Sequence, residues 1–350
     1  HGSFNDQSIS GIYKSNNSGG HFVKLTNGLP ATYSGKAKID ISRSNPSIMY
    51  ASVADESRSI GLYKSIDAGL TWDLMNTKDV AGVQGWYSHD VAIHPTNPKF
   101  ISYAGINVFI SDNSGTNFIN ATSWDAGDMG RIPVGGPEGD TTIYVHADVH
   151  GTYFNPHKPD EIFFATDGGI FVGMNQGAQF HGRNGGYQTT QFYANFSASR
   201  TDPQFAIGGM QDNGTAIFDG NDGWIKVIGG DGMSTAINFN ETIIYGSYQY
   251  FGLNKSTDKG KSFEYIRPNN NILYTEQIAF NTPYEITPSN PSALYAGGQR
   301  IYINENNGNP NSWRPLHEFV LDANATTLAL AVSPADPLLI FVSTFPLNNK

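Results

Sequence analysis

Two histidines and an aspartate alternate in the segment His146-Ala147-Asp148-Val149-His150. If this segment is a β-strand, all three side chains point to one side of it, because the side-chain period of a strand is two residues. Two imidazoles and a carboxylate placed in this way are a ligand set for a divalent cation, with calcium, zinc and manganese as candidates. The alternative is a polar strand that lines a channel and binds only water.

Three further aspartates stand beside glycines, in Asp167-Gly168-Gly169, Gln211-Asp212-Asn213-Gly214 and Gly229-Gly230-Asp231-Gly232. Their carboxylates are suited to completing the coordination of a cation. Together with Asp148 they also offer the carboxyl pair of a glycosidase, which needs a separation of about 5–5.5 Å for retention or about 6.5–9.5 Å for inversion. Asp-Gly and Asn-Gly are common hairpin turns, so each motif alone also has a purely structural explanation.

A second set of side chains is suited to gripping a ligand. Aromatic rings supply stacking surfaces, and a glycine-rich loop at residues 122–141 has a length that often carries function. The residues predicted to contact a ligand are Trp124, Arg131, Tyr187, Tyr193, Tyr248, Tyr250 and Arg300. For each aromatic residue the alternative is packing between neighbouring sheets.

Two recurring patterns must position these residues. The first is Ser65-Ile66-Asp67-Ala68-Gly69-Leu70-Thr71-Trp72, with copies at residues 256–263, 111–118 and 15–22, and we call each copy a box turn. Its Asp or Asn side chain can accept hydrogen bonds from backbone N–H groups, and its glycine supplies the positive φ of a tight turn. Its final aromatic residue is expected to pack between repeated units. Each box turn therefore predicts a hairpin of two strands.

The second pattern consists of two apolar segments joined by an Asn-Pro or Asp-Pro turn, and each copy predicts another hairpin. Successive copies lie about 50 residues apart, the length of a four-stranded propeller blade. Seven copies predict seven blades. They surround Asn45-Pro46, Asn97-Pro98, Pro159, Asp202-Pro203, Asn290-Pro291 and Asp336-Pro337, and a copy without proline spans residues 236–245.

The box turn resembles the Asp-box, also called the bacterial neuraminidase repeat. The whole chain resembles Asp-box propellers of the sortilin and glycoside hydrolase family 74 (xyloglucanase) type, and residues 146–231 are similar to large bacterial surface proteins built on that propeller. The resemblance implies an all-β, seven-bladed propeller, extracellular use, and glycan or peptide ligands. It does not carry over the xyloglucanase catalytic aspartates, which lie between two propellers, whereas one propeller is predicted here.

In a propeller the start of each innermost strand and the end of the next strand meet on one face, at the mouth of the central channel. The predicted site residues occupy such positions. We expect residues 11–350 to form one propeller, preceded by a lead-in at residues 1–10 whose His1-Gly2-Ser3 resembles an expression-tag remnant. The hairpin at residues 11–25 is expected to share a blade with the hairpin at residues 328–344, which would close the ring and leave no exposed sheet edge.

Composition narrows the classes of function. The net charge of −10 argues against a nucleic-acid partner, which requires a basic face, and no apolar run approaches the about 20 residues of a membrane span. The chain has no cysteine, which excludes disulfides and thiol catalysis. A surface rich in Asn, Ser and Thr favours a secreted or cell-surface location, with the leader absent and the chain part of a larger protein.

Two functions from different classes remain. The first is an extracellular recognition module that binds a glycan or peptide at the channel mouth, with or without a metal ion. The second is a carbohydrate-active enzyme, a glycoside hydrolase with a carboxyl pair drawn from Asp148, Asp167, Asp212 and Asp231 and with His146 as a proton carrier.

Overall fold

The computed structural model describes residues 10–127, 132–134, 143–185, 190–221, 223–266, 268, 276–322 and 325–346. Within these ranges the fold is all-β, with antiparallel strands and two short 3-10 helices, Trp124–Gly127 and Pro310–Ser312. No helix in the described ranges is long and apolar enough to cross a bilayer. The chain divides into a first compact unit, His1–Gly127 with Gly135–Tyr187, and a second, Asp128–Val134 with Gln188–Lys350.

The first unit contains one two-stranded sheet and three four-stranded sheets, and in each of them the strands follow chain order. The two-stranded sheet pairs β1 (Ile12–Lys14) with β2 (Val23–Leu25). The four-stranded sheets are β3 (Ala37–Ile41), β4 (Met49–Ala54), β5 (Ser59–Ser65) and β6 (Asp73–Asn76); β7 (Asp90–Ile93), β8 (Ile101–Ala104), β9 (Val108–Ser111) and β10 (Ile119–Asn120); and β12 (Val149–Phe154), β13 (Ile162–Thr166), β14 (Gly169–Met174) and β15 (Gln179–Gly182).

The second unit contains a five-stranded sheet, two four-stranded sheets and a two-stranded sheet. In the five-stranded sheet, β11 (Ile132–Pro133) adds to the outer edge of β16 (Phe192–Ala198), β17 (Ala206–Met210), β18 (Gly214–Phe218) and β19 (Ile225–Ile228). The others are β20 (Thr235–Ile237), β21 (Ile244–Tyr248), β22 (Gly252–Ser256) and β23 (Glu264–Tyr265); β24 (Tyr284–Thr287), β25 (Asn290–Gly297), β26 (Ile301–Asn304) and β27 (Trp313–Pro315); and β28 (Ala325–Val332) with β29 (Ile340–Pro346).

All seven hairpins predicted from the second pattern are present, at β3–β4, β7–β8, β12–β13, β16–β17, β20–β21, β24–β25 and β28–β29. The prediction that Asn290-Pro291 forms a turn is wrong. Both residues belong to β25, and the turn lies at residues 288–289, because Asn290 already pairs with Thr287. A proline at the start of a strand is tolerated, since its missing N–H costs no central ladder bond.

In the box turns, side-chain oxygens accept hydrogen bonds from backbone N–H groups, as predicted. The Ser65 hydroxyl oxygen accepts a hydrogen bond from the Gly69 N–H (2.8 Å), and Asp67 Oδ1 accepts from the N–H groups of Leu70 and Thr71 (2.9 Å each). Gly69 has φ = 84°, in the left-handed region that favours glycine. The same bond from the glycine N–H to the serine hydroxyl recurs at Gly19–Ser15, Gly115–Ser111 and Gly260–Ser256.

Two of the box turns are tied to the proline turns of their own sheets. The N–H of Ala68 donates to the carbonyl of Ser47, which directly follows Asn45-Pro46, at 2.9 Å. An equivalent backbone bond joins Ser114, in the box turn at residues 111–118, to Lys99, which follows Asn97-Pro98. Similar bonds join Gln176 to Asp160 and Asn307 to Ser292 in two sheets whose outer turns are not box turns. The two repeated patterns therefore act as one unit, because a backbone hydrogen bond links the two hairpins at the same end of the sheet.

Apolar clusters lie between consecutive sheets of each unit, as expected for sheets that pack face to face. In the first unit, Tyr50 and Leu62 pack against Ile101 and Tyr103 of the next sheet. A second cluster in that unit joins the sheet of β7–β10 to the sheet of β12–β15. In the second unit, corresponding clusters join the sheet of β20–β23 to its neighbours on both sides.

Side chains on the first strand of one sheet bridge to the first strand of the next. Each of these strands is a sheet edge, so its outward N–H groups have no ladder partner. Asp40 Oδ2 accepts from the Ile93 N–H (2.7 Å), and Asp90 Oδ2 accepts from the Thr152 N–H (2.7 Å). In the second unit, Asn195 Oδ1 accepts from the Thr235 N–H (3.1 Å). These three bonds fix neighbouring edge strands relative to one another.

The Asp90 bridge predicts a measurable pH dependence of stability. Burial raises the pKa of Asp90 to about 6, although the Lys38 charge and the N–H donors oppose the rise. A raised carboxyl pKa means that the folded state binds a proton at Asp90 more tightly than the unfolded state does. The stabilisation of the fold by this proton is complete below about pH 4 and is lost as the pH rises through about 6. Asn195 shows that an amide can fill the same bridging role.

We therefore expect the unfolding free energy of Asp90→Asn, measured relative to the wild type, to increase by about 2–3 kcal/mol as the pH rises from 4 to 7. Urea unfolding of both proteins across that range measures the difference. A stability difference that does not change with pH would show that Asp90 is ionised in the fold throughout.

Candidate functional site

The first unit brings together a histidine–carboxylate cluster, formed by Tyr87, Ser88, Asp148, His150 and Asp167. His150 Nε2 lies 2.6 Å from Asp167 Oδ1, and the Tyr87 hydroxyl donates to Asp167 Oδ2 at 2.7 Å. The Ser88 hydroxyl donates to Asp148 Oδ1 at 3.1 Å. Tyr87 and Ser88, which are consecutive residues ahead of β7, thus bind the carboxyl groups of Asp167 and Asp148 from a neighbouring sheet.

The two carboxyl groups of this cluster have pKa values shifted in opposite directions. Burial raises the pKa of Asp148, and the charge of Asp167 raises it further. Burial would also raise the pKa of Asp167, but the hydrogen bonds from His150 and Tyr87 outweigh it, so that pKa lies below its usual value. An acid next to an ionised carboxylate is the arrangement from which acid–base chemistry is built.

Two lysines donate hydrogen bonds to backbone carbonyl groups of the cluster: Lys38, which lies on β3, and Lys36, which directly precedes that strand. Lys38 Nζ donates to the carbonyl of His150 at 2.9 Å, and Lys36 Nζ donates to the carbonyl of Tyr87. The residues that contact Asp167 through their side chains are therefore also held through their main chains.

The prediction that His146, Asp148 and His150 alternate on one strand is wrong. β12 begins at Val149, and Asp148 precedes it with φ = 65°, a conformation that is not extended. Nδ1 of His146 lies 3.0 Å from the carbonyl oxygen of Ala147, and His150 Nε2 is engaged by Asp167. Among the described residues, no group of three or more histidine and acidic side chains is arranged to hold a metal ion. The metal site stays a prediction.

The second unit contains an aromatic–carboxylate site, formed by Tyr193, Asp212, Asp231, Tyr250 and Phe280. Asp231 Oδ1 accepts a hydrogen bond from the Asp212 N–H at 2.7 Å, and Asp231 Oδ2 accepts from Gln249 Nε2 at 3.1 Å. The segments that carry the two aspartates pack backbone against backbone at Gly232, where a Cβ would lie 2.2 Å from the carbonyl oxygen of Gly214. The glycines of both motifs therefore let the Asp231 carboxylate reach the backbone N–H of Asp212.

Three partly exposed aromatic rings belong to this site. The ring centroids of Tyr250 and Phe280 are 5.4 Å apart with an interplanar angle of 88°, and those of Tyr193 and Phe280 are 5.9 Å apart with an angle of 56°. The Tyr250 N–H also donates to the Phe280 carbonyl at 2.9 Å. Their exposed fractions are 36% for Tyr193, 53% for Tyr250 and 38% for Phe280. The rings form a corner rather than a flat surface.

The backbone around these rings is unusual. Tyr250 and Phe251 both have positive φ, 53° and 59°, which is uncommon for bulky residues and unfavourable by about 1 kcal/mol or more each. Tyr193 lies in an irregular stretch of β16, between Phe192 and Phe196, where the register shifts. Bulges of this kind often re-aim side chains beside functional sites. These features favour a binding role over a merely structural one.

The remaining predicted ligand residues do not join either group through the described contacts. Trp124 is 41% exposed on its 3-10 helix, and its N–H donates to Asn107 Oδ1 at 2.9 Å. Tyr248 ends β21 and stacks on Tyr265, with centroids 6.1 Å apart. Arg300 forms an ion pair with the buried Glu276 and donates from Nε to the carbonyl of Glu318 at 3.0 Å. Arg131 and Tyr187 lie outside the described residues.

Sequence reasoning missed Tyr87, Ser88 and Phe280. Tyr87 and Ser88 stand directly before His89-Asp90 and the first strand of a sheet, so their position carried a usable signal. Phe280 lies ahead of β24 in a segment without a repeated motif. Nothing local marks it, because its role depends on contacts with two tyrosines from other sheets.

Comparison with known proteins gives structural likenesses of low similarity. No protein-family model and no curated protein matches the chain. Among solved structures, the chain is similar to the GH74 xyloglucanase from Xanthomonas campestris, with 14% identity, a TM-score of 0.38, and coverage of 96% of this chain and 48% of that one.

Two further similar structures are the GH74 enzyme from Niastella koreensis and YCF48 from Cyanidioschyzon merolae. The first shows 14% identity, a TM-score of 0.26, and coverage of 93% of this chain and 53% of that one. The second shows 13% identity, a TM-score of 0.32, and coverage of 87% of this chain and 91% of that one. This chain spans about half the length of the two GH74 enzymes. These similarities assign neither an activity nor a ligand to it.

Proposed function

We propose that this chain is an extracellular recognition module that binds a glycan or peptide through the aromatic–carboxylate site of its second unit. The observation that carries the proposal is the exposed corner of Tyr193, Tyr250 and Phe280 beside the paired Asp212 and Asp231. Aromatic rings that stay exposed in strained or irregular backbone cost stability, so a ligand that covers them explains why they are there. The Asn-, Ser- and Thr-rich composition supports secretion or surface display within a larger protein.

Binding to glycan and peptide arrays tests the recognition function. For the best array ligand, we expect Tyr250→Ala to weaken binding at least about tenfold, because an aromatic anchor at the centre of a site contributes 1.4 kcal/mol or more. Tyr153→Ala is the matched control, since Tyr153 is 65% exposed on β12 of the other unit. Equal losses for both variants, or no ligand on either array, would contradict the proposal.

A chelator added to the array binding experiment tests whether a metal ion takes part in recognition. Metal ligation by the predicted set His146, Asp148 and His150 requires these side chains to rearrange, since His150 Nε2 is hydrogen-bonded to Asp167. Affinity that is unchanged after chelation assigns binding to the protein groups alone.

A glycoside hydrolase is the second candidate function, and it is favoured by the first unit. Tyr87 and Ser88, which are consecutive in the chain, hold Asp167 and Asp148 in one cluster. In a glycoside hydrolase, one carboxyl group of such a pair protonates the leaving oxygen and the other acts as a base or nucleophile.

Hydrolysis of a polysaccharide panel tests the second candidate. With an active substrate, Asp148→Asn and Asp167→Asn should each lower turnover by at least about 100-fold, the usual contribution of an acid or base. Asp73→Asn, which changes an exposed carboxylate on β6, should leave turnover unchanged. Full activity in both site variants, or no product from the wild type, would exclude this use of the cluster.

We further propose that the sheets are the blades of one seven-bladed propeller, in which β1–β2 and β28–β29 share the seventh blade. Each of these two hairpins forms only a two-stranded sheet within the described residues. Isolated two-stranded hairpins are marginally stable in water. Both also leave apolar side chains exposed, among them Val23 (56%) and Phe341 (64%), which pairing would cover.

Amide hydrogen exchange tests this closure. If β29 has a neighbour on the edge away from β28, both alternating sets of its N–H groups should be protected by at least about 100-fold, as in an internal strand. If the β29 N–H groups that point away from β28 exchange at the rate of an unstructured peptide, the shared blade is excluded.

A further inference from the structure

The geometry of the aromatic–carboxylate site favours a compact cation over a flat sugar ring as its ligand. A sugar stacks best on a single flat aromatic surface. Here Phe280 meets Tyr250 at 88° and Tyr193 at 56°, so neither pair of rings offers a common plane. Rings that meet at steep angles line a corner, and several aromatic faces around one point are the arrangement that recognises ammonium groups.

The corner is fixed before any ligand arrives. The Tyr250 N–H donates to the Phe280 carbonyl at 2.9 Å, which ties the backbones of two of the three ring-bearing residues together. The positive φ of both Tyr250 and Phe251 shows that the fold holds this segment in an unfavourable conformation. A site that is already ordered pays less conformational entropy on binding, so even a small ligand can bind measurably.

The charge beside the corner is negative. Asp231 is half-buried and accepts hydrogen bonds from two neutral donors, the Asp212 N–H and Gln249 Nε2. Among the residues that the structure describes, Asp231 forms no ion pair. Burial is the main cause of the raised pKa of Tyr193, and the charges of Asp231 and Asp212 raise it further. The electric field of the two aspartates therefore reaches this ring. A carboxylate only accepts hydrogen bonds and attracts cations, and the chain's net charge of −10 acts in the same direction.

From this combination we propose that the aromatic–carboxylate site binds an organic ammonium group, with the cation against Tyr193, Tyr250 and Phe280 and its charge balanced by Asp231. The inference rests on the proposed recognition function and names its ligand class. Two sources offer this chemistry: the side chain of a lysine or methylated lysine in a peptide, and a free quaternary ammonium compound such as choline.

Calorimetric titration with choline and with 3,3-dimethylbutan-1-ol, its uncharged isostere, tests the inference. We expect saturable binding of choline and at least about tenfold weaker binding of the isostere, because only the cation gains the cation–π and carboxylate interactions. A trimethyl-lysine peptide that binds more tightly than choline identifies a peptide as the source, and the reverse order identifies a free ammonium compound.

Three variants assign the effect to the named groups. Tyr250→Phe should retain choline binding, because the ring supplies the attraction, whereas Tyr250→Ala should lose it. Asp231→Asn keeps an acceptor for the Asp212 N–H and should weaken choline binding about fivefold or more while leaving the isostere unaffected. Tyr153→Ala again serves as the control for folding.

The outcomes separate this inference from the proposed function. Equal affinity for choline and its isostere would overturn the inference and leave an apolar site. Binding of array glycans without binding of choline or lysine-containing peptides would also overturn it, while the recognition function stands. If no ligand of any class binds, both fail together.

Discussion

Side-chain bridges between the edge strands of neighbouring sheets are the constraint on which both candidate sites depend. Asp90 holds the Thr152 N–H, and the histidine–carboxylate cluster lies within two residues of each end of that bond, at Ser88 and His150. In the second unit, Asn195 holds the Thr235 N–H, with Tyr193 two residues away at one end and Asp231 four residues away at the other. An edge N–H that stays unpaired in a buried place is costly, so these bridges set the register between sheets and place the site residues opposite one another.

The two units use this common framework for different chemistry. In the first unit the converging groups are an imidazole, two hydroxyls and two carboxyl groups, which hydrogen-bond to one another. In the second unit the Asp231 carboxylate is held by an N–H and a side-chain amide, and the rings remain partly exposed. Groups that hydrogen-bond to one another in this way suit proton chemistry or structural stiffness. An exposed aromatic corner with an uncompensated carboxylate suits the capture of a ligand.

Much of the fold could be predicted from short patterns. The seven hairpins and the hydrogen bonds of the box turns follow from residues within a few positions of one another, where glycine, proline and Asn or Asp limit the backbone directly. The same reasoning overlooked the turn at Asn304, whose Oδ1 accepts the Gly308 N–H at 3.0 Å, because an asparagine there replaces the serine of the other copies. It also extended β12 back to His146, because alternation of polar residues does not reveal the positive φ of Asp148.

The sequence by itself determined which segments become strands and turns, and it marked Asp167, Asp212 and Asp231 as residues at strand ends. Only the tertiary structure decided which of them meet. Tyr87 reaches Asp167 across 80 positions of the chain, and Phe280 joins two tyrosines that no shared motif connects to it. The physical reason is that turn chemistry is local, whereas these contacts depend on the register between separate sheets. That register is set by edge hydrogen bonds and interlocking cores, which no short stretch of sequence contains.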